Sequence, residues 1–103
     1  MRQSTLTKTE EAVVVQPPGD VVAAFVPELR QTLRDAVARG VREMVLDLAN
    51  TQMLDSSGIG LLVAAHNSLR KAGGRLSVIH ASQEIAELLR TMRIHQHIQV
   101  AEA

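Results

Sequence analysis

A chain of 103 residues and 11.2 kDa is the size of one small domain. Its 11 Lys and Arg balance 11 Asp and Glu, and a neutral chain is not built mainly to grip nucleic acid, whose affinity rests on a basic surface. One aromatic residue, Phe25, makes no stacking platform for single strands, and the lack of cysteine excludes a disulfide framework and a Cys-ligated metal site.

The hydrophobic share, 46%, is that of a chain that folds, so the core must come from Val, Leu, Ile, Met and Ala. Met1 to Glu11 (MRQSTLTKTEE) has no apolar run after its basic residue and does not read as a signal peptide. No stretch reaches the length of a membrane-spanning helix. The expectation is a cytoplasmic protein with one domain over 1–103, whose first ten residues are a weak edge strand or a mobile start.

Ser4 to Lys8 reads as that weak strand. Ala12 to Gln16 (AVVVQ) is a β-branched run and reads as a buried strand, stopped by Pro17, Pro18 and Gly19. Leu29, Leu33, Ala36 and Val37 fall at i, i+4, i+7 and i+8, which predicts a helix with Arg30, Arg34, Asp35 and Arg39 outward. Pro27 is tolerated only in its first turn, and Gly40 is a natural stop. Val41 to Leu48 (VREMVLDL) predicts a strand covered on both faces, as in a parallel sheet.

Ile59 to Lys71 predicts a second helix closed by Gly73 and Gly74, and Leu76 to His80 a short strand. Ser82 is placed to cap a third helix carrying Ile85, Leu88, Leu89 and Met92 on its apolar side. Ile98 to Val100 adds a last strand. Strands alternating with helices predict an α/β fold: a mostly parallel sheet of four to five strands, an N-terminal hairpin, and helices packed on the sheet.

Between strand and helix lies Met53-Leu54-Asp55-Ser56-Ser57-Gly58-Ile59-Gly60. Loops from strand end to helix start line the ligand-facing edge of a parallel sheet. Two hydroxyls there meet unpaired N–H groups and the positive end of the helix dipole, a place for an anion or a phosphate. Equally, Asp or Ser before a helix serves as an N-cap, and glycines mark a turn.

Catalytic readings fail on spacing. No G-x-x-x-x-G-K-[ST] loop exists, Val63 stands where a third glycine would complete a dinucleotide fingerprint, and the serines do not sit in G-x-S-x-G. His66 is ten residues beyond Ser56 on the same helix, about 15 Å away, too far to act as its base. His95 and His97 alternate and would share a strand face, but no carboxylate pair accompanies them. No catalytic residue, metal site or cofactor is expected.

Gly19, Pro27-Glu28-Leu29-Arg30, VREMVLDL, Leu54-Asp55-Ser56-Ser57-Gly58-Ile59-Gly60-Leu61-Leu62 and Leu69-Arg70-Lys71-Ala72-Gly73-Gly74 follow one another in a telling order. From about Val13 to Val100 the chain resembles the STAS domain family, in particular its stand-alone anti-sigma factor antagonists. The resemblance implies partner switching. An anti-sigma factor that is also a serine kinase binds the unphosphorylated antagonist and releases its target. Phosphorylation of the antagonist breaks that complex, and a metal-dependent serine phosphatase restores it.

By the family's D-S-[ST]-G pattern the phosphoacceptor is Ser56, with Ser57 second. Partner contact is expected around Asp20, Asp55, Ser57, Gly58, Ile59, Gly60 and Leu61. One departure stands out: the family often carries Gly-Glu-Leu-Asp before its first helix, whereas here Gly19-Asp20-Val21-Val22 puts Val22 at the Asp position and Asp20 two residues earlier. A STAS scaffold or ligand sensor without phosphorylation is the alternative. No nucleic acid or membrane partner is expected, and the chain is read as a monomer or a weak homodimer.

Overall fold

The computed structural model describes residues 3–8 and 12–103. Within the expected weak or mobile start, 1–2 and 9–10 lie outside the described residues. The strands are β1 (Thr5–Lys8), β2 (Ala12–Gln16), β3 (Glu43–Asp47), β4 (Arg75–Ala81) and β5 (Gln99–Glu102). The helices are α1 (Val26–Ala38), α2 (Ser56–Lys71) and α3 (Gln83–Thr91). The strands lie side by side in the order β1-β2-β3-β4-β5. β1 and β2 form an antiparallel hairpin, and every later pairing is parallel. This is the α/β architecture the strand–helix alternation predicts.

The parallel register lines up Val13, Met44 and Leu76, then Val15, Leu46 and Val78, all at most 3% exposed. These residues share one face of the sheet, because side chains alternate along each strand. They merge into one cluster with Leu29 and Leu33 of α1, Leu62 and Leu69 of α2, and Ile85 and Leu89 of α3. Phe25 packs half-buried against that cluster. The opposite face carries Val14, Val45, Ser77 and Ile79, all only partly buried. β3 is therefore covered on one face, not two: its apolar run reflects β propensity on the open face as much as burial.

α1 starts one residue before Pro27, whose missing N–H costs nothing in a first turn. Gly40 follows α1 at φ +95°, the left-handed turn that ends a helix most cheaply with glycine. Ser82 Oγ accepts the Ile85 N–H at 3.2 Å, the expected cap of α3. α3 ends at Thr91, so Met92 is 50% exposed instead of joining the apolar side, and Ala86 is buried there.

His80 lies in β4, as the strand expected over Leu76 to His80 has it, whereas His95 and His97 are placed differently. In β4, His80 adopts φ +57° and the β4–β5 register shifts between Val78 and Ala81. The bulge sends Ala81 into the core and turns His80 outward, where its Nδ1 lies 2.9 Å from Asp47 Oδ1. His95 lies in a 3-10 turn (Ile94–Gln96) and His97 follows it, so the two share no strand face.

Candidate functional site

The site is assembled from two segments about thirty residues apart, each leaving the same edge of the sheet. One runs from Gly19 to Phe25 after β2, the other from Ala49 to Asp55 after β3. Val21 and Leu54 pair as an isolated parallel bridge, and the Val21 N–H donates to Met53 O at 3.0 Å. Asp20 Oδ1 accepts from the backbone N–H groups of Gln52 and Met53, both at 3.0 Å. Thr51, buried to 3% exposure, donates its hydroxyl to Gly19 O at 2.8 Å. These bonds pair backbone groups that no strand or helix ladder satisfies. Asp20 thus has a positioning job, holding the loop that leads into α2.

Asp55 is the N-cap of α2. Its Oδ1 accepts the Gly58 N–H at 3.0 Å, and its Oδ2 accepts the Ala23 N–H at 2.9 Å. The bonds from Gly58 and then Ala23 hold its carboxyl below the usual value of 3.8, so it is charged at neutral pH. One carboxylate therefore caps the helix and ties both segments together. It also fills the helix terminus: of the N–H groups that would attract an anion, Gly58 and Ala23 are already taken.

This cap extends α2 back to Ser56, three residues before the helix start that the apolar pattern at Ile59 suggested. Ser56 is the first residue of the helix, exposed, and its hydroxyl makes no hydrogen bond to a described residue. Ser57 is half-buried. Gly58 is buried because the Val21 loop crosses it: a Cβ would press on the Val21 carbonyl oxygen and stand 2.6 Å from Leu54 Cδ1. Gly60 is exposed with open space around it.

Ile59 and Leu61 are 8% and 3% exposed and belong to the core. Both side chains are mostly withdrawn from the surface around Ser56, and Leu61 reaches solvent only in the cleft between α1 and α2. Met53, by contrast, is 58% exposed two residues before Asp55. Sequence reasoning passed over it, although an apolar residue after the polar Asn50-Thr51-Gln52 was a signal. Val22 is half-buried, and its carbonyl accepts the N–H groups of Phe25 and Val26 as the chain turns into α1. Among the described residues no group of three metal-ligating side chains converges, and no helix is long and apolar enough to cross a membrane.

The family model described as STAS domain matches residues 3–103. An anti-sigma-B factor antagonist of Staphylococcus epidermidis is 30% identical over 74 residues, covering 72% of this chain and 68% of that protein. The chain belongs to the STAS domain family. Solved structures show the same fold. An anti-sigma factor antagonist from Mycobacterium paratuberculosis superposes with a TM-score of 0.85 at 20% identity, covering 98% of this chain and 86% of the other. The phosphorylated form of the Bacillus cell fate determinant SpoIIAA gives 0.76 at 21% identity over 95% and 90%.

Proposed function

We propose that this protein is an anti-sigma factor antagonist whose partner binding is switched by phosphorylation of Ser56. Its partner is an anti-sigma factor with serine kinase activity, and a metal-dependent phosphatase reverses the modification, all in the cytoplasm. The observation that carries this reading is Ser56 itself: it is exposed at the head of α2, its hydroxyl bonds to no described residue, and it is the first serine of the D-S-[ST]-G pattern on which the resemblance rests. Ser57 is less accessible and ranks second. The similarity to a protein solved in a phosphorylated form supports the reading.

The physics of the switch follows from Asp55. A phosphoserine adds about −1.5 to −2 charge at neutral pH. Because the Asp55 carboxylate already occupies the helix terminus, the phosphate stands beside a like charge and outside the cap. In water this is tolerable. Under a docked partner it is not: burying an unpaired dianion costs several kcal/mol, and each ~1.4 kcal/mol is a tenfold loss of affinity. The unphosphorylated surface, by contrast, offers Met53, Ser56, Ser57 and Gly60, a patch of low charge around one ionised Asp55.

Incubation with the cognate anti-sigma factor and ATP tests the proposal. The expected result is a gain of one phosphate by mass, lost in Ser56→Ala, with the phosphorylated chain no longer binding the anti-sigma factor. A gain that survives in Ser56→Ala and vanishes in Ser57→Ala moves the site by one residue. Binding with no phosphate gain leaves a scaffold without a switch and refutes the proposal.

A further inference from the structure

α1 and α2 lie against each other, and between them runs a groove of about 270 Å³, open along one side. Its floor is aliphatic: Leu33 and Val37 from α1, Leu61 from α2. Its rim carries Arg30 and Arg34, one helical turn apart, both exposed and neither ion-paired with a described residue. The arginine–carboxylate ion pairs among the described residues lie elsewhere: Glu43–Arg75 and Arg90–Glu102. An apolar channel beside two unneutralised cations is the complement of an amphipathic segment with acidic edges.

The open side of the groove bears on its occupant. Small-molecule sites run to roughly 300–1,000 Å³ and enclose most of the ligand's surface. This groove lies at the bottom of that range and is open along one side, so it encloses little of a small ligand and suits one or two apolar side chains projecting from a helix that stays largely outside. Helix-in-groove docking works in that way, through anchors at i, i+3 and i+4. Position points the same way. Ser57, Leu61, Ala64 and Ser68 follow at three- and four-residue spacing along the groove side of α2. The groove residues of α2 begin about 8 Å and end about 18 Å beyond Ser56, at 1.5 Å rise per residue. A partner surface of about 800 Å² spans that distance.

We infer that the α1–α2 groove is a second docking element for the anti-sigma factor, receiving apolar anchors of a helix whose flanking residues are acidic. This rests on the proposed function for the partner's identity, and on the groove and its two arginines for the chemistry. The arrangement places the apolar anchor in the groove and the phosphorylatable serine at the end of the same interface. The groove would then supply affinity, and Ser56 the control over it.

The test measures affinity for the cognate anti-sigma factor with ADP in place of ATP, so that no phosphoryl transfer intervenes. The variants are Arg30→Glu with Arg34→Glu, and separately Ala64→Leu, which fills the groove. All three positions are exposed, so the variants are expected to fold, and circular dichroism checks that they do. The expected result is at least a tenfold loss of affinity in both variants, with Arg34→Lys close to wild type. In the wild-type complex, α1 and α2 amides lining the groove gain protection from hydrogen exchange. Wild-type binding that both variants retain overturns the inference while sparing the proposed function. Failure of the wild-type chain to bind any anti-sigma factor overturns both. Decanoate shifting the groove resonances in a protein whose anti-sigma affinity ignores the variants reassigns the groove to a small amphiphile and also overturns it.

Discussion

Gly58 and Gly60 stand two residues apart on α2 and carry opposite expectations. At Gly58 a Cβ meets backbone, the Val21 carbonyl, which cannot swing aside as a side chain could. Gly58→Ala should therefore force the Val21 loop away from α2 and cost about 1–3 kcal/mol, as overpacking does. At Gly60 nothing lies within 4 Å, and a helical glycine replaced by alanine gains about 0.5–1 kcal/mol. Urea unfolding of both variants should move the midpoint in opposite directions. Affinity for the anti-sigma factor provides a second readout. If the partner's backbone closes on the bare surface at Gly60, Gly60→Ala is more stable yet binds less tightly. A Gly60→Ala protein both stabler and equally tight removes Gly60 from the contact.

Among the elements, the sheet face separates what the sequence reveals from what it does not. The order of strands and helices is legible because Pro17, Pro18, Gly40 and Gly73 punctuate it and the helical spacing of Leu29 and Leu33 is clear. Whether a strand is covered once or twice is not legible from Val41 to Leu48, since Val and Leu suit an open pleated face as well as a closed one. The His80 bulge is hidden for a related reason: the shift is set by pairing with β5, twenty residues away. At the site, the Asp55 cap is readable locally, but its second bond to Ala23 and the Asp20 clasp join residues about 32 apart. No local pattern encodes those.

The one-sided sheet is measurable. Leu46 is fully buried, and Leu46→Ala should cost about 3–5 kcal/mol. Its neighbour Val45 faces the open side, where water can reach a hydroxyl, so Val45→Thr should cost less than about 1 kcal/mol. In a sheet covered on both sides, that hydroxyl would be buried without a partner, at about 1–3 kcal/mol. Denaturant midpoints for the two variants decide the matter, and a large loss in Val45→Thr would show the second face to be covered.

On the scale of the whole molecule, charge is the quantity a single modification changes most. The chain is formally neutral, so one phosphate on Ser56 takes it from zero to about −2. Two mechanisms could turn that change into lost binding. Long-range repulsion between the charged molecule and its partner acts through solvent and is screened beyond a Debye length, about 8 Å at physiological salt and 3 Å at 1 M. Local desolvation of the dianion inside the contact is insensitive to salt, because no ions enter a closed interface. The geometry favours the second, since Ser56 lies at the head of α2 with the Asp55 carboxylate next to it and its own hydrogen bonds to Gly58 and Ala23. Raising sodium chloride from 0.15 M to 1 M should therefore leave the phosphorylated chain unable to bind the anti-sigma factor, while the melting temperature of the free phosphorylated chain stays near that of the unmodified one. Recovery of binding at high salt would assign the switch to the molecule's overall field instead, and a lowered melting temperature would assign it to loosening of the α2 cap.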